Sequence, residues 1–175
     1  MLSRKYLILL SLSTVLVAID QATKLYVDTH FQLGETVPVI ERFFSLTYVR
    51  NPGAAFGFLA ASHPAFREIF FLSLPPFALI VILAILRGVA NRDTWQILAL
   101  SSVFGGATGN YIDRLRFRSV IDFLDFHYQA VNATQRFYTW PTFNVADIAI
   151  VMGVAGLLAL MLRDWLEERK AALKT

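Results

Sequence analysis

Four stretches of this chain, Tyr6–Leu25, Ile69–Leu86, Trp95–Ile112 and Phe143–Leu162, each run for 18 to 20 residues with almost no charge. An α-helix needs roughly 20 residues to cross about 30 Å of hydrocarbon. In lipid every backbone N–H and C=O must be satisfied within the segment, so such stretches fold as helices. The expected architecture is mainly α and integral to a membrane. It is one domain over residues 1–175, with four transmembrane helices at about 6–25, 69–86, 95–112 and 143–162. Composition agrees, with 17% charged residues where soluble domains carry about 25%.

The first stretch follows Arg4-Lys5, as a secretory signal would, but no small-x-small cleavage site follows it. It runs on into Asp20-Gln21-Ala22-Thr23-Lys24 and reads as a retained helix. Four spans put both termini on one side. Lys and Arg divide evenly between the two sides, but those by the termini and the 87–94 connector hug helix ends, where they weigh most. Both termini are therefore expected in the cytoplasm. The segments 28–66 and 114–142 then lie outside it. Phe43-Phe44-Ser45-Leu46-Thr47-Tyr48-Val49 reads as a strand closed by the turn Asn51-Pro52-Gly53, giving a small non-cytoplasmic β-cradle. Phe126, Tyr128, Phe137, Tyr138 and Trp140 suit a loop on the membrane surface.

Several chemistries are excluded or disfavoured. The chain has no cysteine, so thiol catalysis, disulfides and thiolate metal sites are out. His30, His63 and His127 lack ligand spacing, and no metal site is expected. The net charge of +3 comes without a basic stripe, so no nucleic-acid partner is expected.

Asp122 and Asp147 stand out, in apolar surroundings at or just inside the expected helix ends. An ionised carboxylate at membrane depth costs at least ~2.5–3.5 kcal/mol. Two carboxyls that approach each other share a proton, and one neutral with one ionised carboxyl can activate a single water. The bland alternative makes each a helix cap or a partner of Arg114 or Arg116. Asp125 competes with Asp122, and Asp113 is expected to pair with its neighbouring arginines. Asp20 and Lys24, four apart on one helix face, can pair with each other. A Ser–Lys protease built on Lys24 lacks a matching serine. Gly105 and Gly109 form a small-xxx-small pair for close helix packing. Asn110 and Asn144 could orient carboxylates or a substrate backbone. The rival class is a four-span transporter, channel subunit or assembly factor using the acids as ion sites.

Five blocks in order resemble the lipoprotein signal peptidases, or signal peptidase II. They are Asp20-Gln21-Ala22-Thr23-Lys24, Asn51-Pro52-Gly53-Ala54-Ala55-Phe56-Gly57, Gly105 through Arg114, Val120-Ile121-Asp122-Phe123 and Pro141 through Asp147. The resemblance implies a bacterial inner-membrane aspartyl endopeptidase. Such enzymes cleave prolipoproteins just before a cysteine that already carries a diacylglyceryl group. Carried over by motif, the catalytic pair is Asp122 and Asp147. Asp20, Lys24, Asn51, Gly53, Asn110, Arg114 and Asn144 are the substrate-binding or dyad-supporting positions. No metal or organic cofactor is implied. The implied partners are the lipidated signal peptide and membrane lipids, with a monomer as the simplest state. The stretch His127–Arg136 is a few residues longer than is common in the family, which bears on the substrate entrance.

Overall fold

Each apolar stretch becomes a helix in the computed structural model, which describes residues 3–53, 63–128 and 138–173. The helices are α1 (Arg4–His30), α2 (Pro64–Gly88), α3 (Thr94–Phe117) and α4 (Val145–Ala172). Their ends follow local chemistry. Pro64 opens α2 behind the cap His63, whose ring accepts the N–H of Ala65. A proline in the first turn gives up an N–H that would have had no partner. α4 starts at a reciprocal capping box between Asn144 and Asp147, which satisfies two backbone N–H groups at once. α3 stops where Arg118 turns left-handed, with φ of 58°. Between these helices run the strands β1 (Thr36–Ile40), β2 (Phe44–Asn51), β3 (Val120–Tyr128) and the two-residue β4 (Tyr138–Thr139).

Among the described residues three helices, α1, α2 and α4, are long and apolar enough to cross a membrane. α3 has the length but not the hydropathy, and its position explains why. It packs against each of the other three helices and buries Ser101, Gly105, Gly106, Gly109, Asn110 and Asp113. A helix surrounded by protein needs small residues for close approach more than lipid-facing hydrocarbon. A Cβ on Gly105 would lie 3.0 Å from the Ser13 Cα of α1, and one on Gly106 2.4 Å from the Ala146 carbonyl of α4. The expected close packing is there, and it extends to Gly106.

One apolar cluster, Leu9, Ile82, Leu86, Val89, Ile97 and Leu100, joins α1, α2 and α3 near the chain termini. A second, Val27, Tyr48, Ile121 and Phe123, fastens the sheet to the end of α1. The sheet is antiparallel in the order β1-β2-β3-β4. The expected strand at Phe43–Val49 appears as β2. β3, in the second connector, was not anticipated. It also corrects the expectation for Asp122, which sits inside β3 and not at a helix end. The cause is the reversal at Arg118, which folds the chain back so that β3 pairs with β2. Asp147 is at a helix start, in the first turn of α4. Residues 129–137, with most of the long stretch between the aspartates, lie outside the described residues, as do Ala54 and Ala55.

Candidate active site

Asp122 on β3 and Asp147 on α4 line one cavity of about 440 Å³, together with Asn51, Gly53, Asn110, Arg114 and a wall of Trp140, Phe143, Ile148 and Val151. Each of the four carboxylate oxygens accepts an N–H. Asp122 Oδ1 accepts from Asn144 Nδ2 at 2.7 Å and its Oδ2 from Asn51 Nδ2 at 3.0 Å. Asp147 Oδ1 accepts from Asn110 Nδ2 at 2.7 Å and its Oδ2 from the Asn144 backbone N–H at 3.2 Å. Asn144 therefore bridges both acids.

The orientation of each amide is dictated by a group that can only donate. Lys24 Nζ donates to Asn110 Oδ1 at 2.9 Å, the Asp147 N–H to Asn144 Oδ1 at 2.9 Å, and the Gly53 N–H to Asn51 Oδ1 at 3.0 Å. With each oxygen committed, the three NH2 groups must point at the acids. Asn144 Nδ2 also meets Asn110 Oδ1 at 3.1 Å and the Ile121 carbonyl at 3.3 Å. It has two hydrogens for three acceptors, and Asp122 holds the shortest contact.

Behind the amides lies a buried ionic knot. Lys24 reaches Asp20 at 2.9 Å and Asp113 at 3.0 Å, and all three side chains are 1% exposed. With Asn110, that uses all three ammonium hydrogens. The expected Asp20–Lys24 pair forms, but the arginine partnership expected for Asp113 does not. Asp113 lies three residues past Asn110 and turns inward to the same lysine. Its carboxylate also accepts the Ile121 N–H at 3.1 Å and Gln21 Nε2 at 3.0 Å. Asp20 Oδ1 accepts the Ala146 N–H at 2.9 Å, in the first turn of α4, where the helix dipole favours an anion. Asp20, Lys24 and Asn144 are buried behind the cavity, whereas Asn51, Gly53, Asn110 and Arg114 line it. Asp113 and Gln21 were missed as site residues. A charged residue at helical spacing from Asn110 was the available signal.

Asp125 lies elsewhere. Three residues along the same strand, it faces the opposite side of the sheet. There it accepts Thr47 Oγ1 at 2.8 Å and lies 3.5 Å from His127 Nδ1. The electrostatics of Asp122 fit its place in the cavity. Burial, and then the neighbouring negative charge of Asp147, push its pKa up to about 7, against the pull of the Asn51 and Asn144 amides. Arg114 lines the cavity, its Nη2 donating to the Gly53 carbonyl at 3.4 Å and its guanidinium over the Phe71 ring. Among the described residues no group of three His, Cys, Asp or Glu could hold a metal ion.

Known proteins share this arrangement of chain. The family profile described as Signal peptidase (SPase) II matches residues 12–163. A lipoprotein signal peptidase of Syntrophus aciditrophicus is 45% identical, over 94% of this chain and 99% of the relative. One from Geobacter metallireducens is 42% identical, over 91% and 93%. A bacterial membrane enzyme solved by the in meso method at 2.3 Å superposes with a TM-score of 0.75 and 29% identity, covering 89% of this chain and 88% of that one.

Proposed function

This chain belongs to the signal peptidase II family, and on that premise we propose that it is an aspartyl endopeptidase that removes signal peptides from diacylglyceryl-modified prolipoproteins. Cleavage falls just before the lipidated cysteine. The observation that carries this reading is the pairing of Asp122 and Asp147 through Asn144 in one cavity.

The chemistry follows from the pair. Asp122, whose ordinary carboxyl pKa is raised to about 7, holds the shared proton. Asp147 is the base. It takes a proton from water as the water oxygen bonds to the scissile carbonyl carbon, while Asp122 protonates the carbonyl oxygen. Asp147 then passes its proton to the leaving nitrogen, the C–N bond breaks, and Asp122 recovers its proton from the collapsing gem-diol. Arg114 and the Asn51–Gly53 turn face the cavity where a substrate backbone would lie.

The chain is a bacterial membrane protein, by its apolar helices and bacterial relatives. We take residues 1–175 as one domain of four spans, α3 included, with both termini cytoplasmic and the cavity near the periplasmic surface. The acyl-bearing substrate then meets the acids at its own depth in the bilayer. One chain supplies every element of the site, which fits a monomer.

The test compares an S-diacylglyceryl-cysteine lipobox peptide with its unlipidated form, using purified protein in micelles. Wild type is expected to cut only the lipidated peptide, and Asp122→Asn and Asp147→Asn to cut neither, a loss of at least about 10⁴-fold. Folded single variants that cut at the wild-type rate would remove the dyad. A folded wild type inert toward both peptides would favour the ion-site class.

A further inference from the structure

β2 and β3 do not keep step, and the slip decides which side chain meets Asp122. Leu46 pairs with Leu124, but the next pair is Val49 with Asp122, so β2 spends three residues where β3 spends two. The extra residue is a bulge around Thr47 and Tyr48. Because side chains alternate across a strand, a one-residue slip moves every later residue to the other face. In unbroken register Tyr48 would stand opposite Asp122, Arg50 would share its face, and Asn51 would point away. With the bulge, Asn51 pairs with Val120 and reaches Asp122 at 3.0 Å. The buried residues of β2, Ser45 and Tyr48, are three apart, which is the same change of parity.

The residues displaced to the far face are gripped there. Arg50 Nη2 donates to Asp28 Oδ1 at 2.7 Å, and its Nε donates to Tyr48 Oη at 2.7 Å. Tyr48 Oη donates in turn to the same carboxylate oxygen. The guanidinium lies 4.0 Å over the ring of Phe117, the last residue of α3. A rigid two-pronged cation, a phenol and a carboxylate thus tie the bulge to the ends of α1 and α3 at once.

We propose that Asp28, Tyr48 and Arg50 are positioning residues that lock the β2 bulge and so aim Asn51 at Asp122. The proposal rests on the dyad reading above. None of the three touches the cavity, so they act on catalysis only through Asn51.

Two mild variants test it in micelles with the lipidated peptide, each assayed below its own melting transition. Tyr48→Phe removes one hydroxyl. Arg50→Lys keeps the charge and loses the fork. Each is expected to lower kcat about tenfold, the low end for losing a contact that orients a site ligand, with KM within about twofold. In an Asn51→Ala background neither is expected to lower kcat further. An equal loss in that background would overturn the proposal, because the effect would then bypass Asn51. So would unchanged kcat in both variants, a loss confined to KM, or an Asn51→Ala enzyme as fast as wild type. The Asp122→Asn control separates the two readings. If it stays active, the dyad reading fails. If it is inactive while Tyr48→Phe and Arg50→Lys run at the wild-type rate, only the clamp fails.

Discussion

Near the chain termini α1, α2 and α3 meet through hydrocarbon, with Leu86 and Ile97 fully buried and Leu100 at 1% exposure. At the opposite end, α1 and α3 meet α4 through Asp20, Lys24, Asp113 and Asn144, buried to the same degree, together with the buried Asn110. Equal burial with opposite chemistry shows what each end is for. Hydrocarbon contacts are non-directional and tolerate repacking. A buried ionic knot is seldom the more stable choice, because desolvation offsets most of the attraction. Its return is direction: Lys24 holds the Asn110 oxygen, so that the Asn110 amide donates to Asp147, while the Asn144 amide makes its shortest contact with Asp122.

The contrast can be broken at its strongest point by Lys24→Met. It leaves Asp20 and Asp113 without their common cation, expected to cost roughly 3–5 kcal/mol, and removes the donor that fixes the Asn110 amide against Asp147. Stability and kcat should fall together. Leu100→Ala at the hydrocarbon end should cost about 2–5 kcal/mol with kcat unchanged below the melting transition. A Leu100→Ala enzyme with impaired kcat would erase the distinction. Gly106→Ala probes the seam between the two ends. Its methyl would meet the Ala146 carbonyl at 2.4 Å and push back the first turn of α4, which carries Asp147. We expect about 1–3 kcal/mol of destabilisation and a larger loss in kcat than in KM.

The smallest effect is on the pH dependence of stability. Folding raises the Asp122 pKa from 3.8 to about 7, so the folded state favours the neutral acid. That contribution is complete below pH 3.8 and is lost as pH rises through 7. Asp122→Asn cannot titrate. Its melting temperature relative to wild type should climb between about pH 4 and 7 and then level off. A difference that stays flat across that window would deny the raised pKa.

The helices were legible because length and hydropathy are local properties. Close packing of α3 was legible in Gly105 and Gly109, but its lower hydropathy and its central place emerge only from the packing. β3 was not. In Val120–Tyr128 the residues from Val120 to Phe123 are all buried, so no polar face marks the alternation of a half-exposed strand. Motif blocks singled out Asp122, Asp147 and the three asparagines. What supports what could not be read, since the contacts join residues as far apart as Asp20 and Ala146. The face that Asn51 presents depends on a bulge that no local propensity announces. Asp113 departs from expectation because its carboxylate turns inward to Lys24 and not to the arginines beside it in sequence.

A site framed by three primary amides also has to survive time. Asparagine ages by attack of the following backbone nitrogen on the side-chain carbonyl, a cyclisation that ends in a carboxylate. One such event at Asn51, Asn110 or Asn144 would exchange an N–H donor for an anion facing Asp122 or Asp147. Asn51 is followed by Pro52, which has no N–H to lose in that attack. Asn110 lies within α3 and Asn144 caps α4, with its side-chain oxygen held by the Asp147 N–H. The contacts that aim these amides at the acids also keep them from the geometry in which they would decay, so the frame that sets the chemistry also protects its own composition.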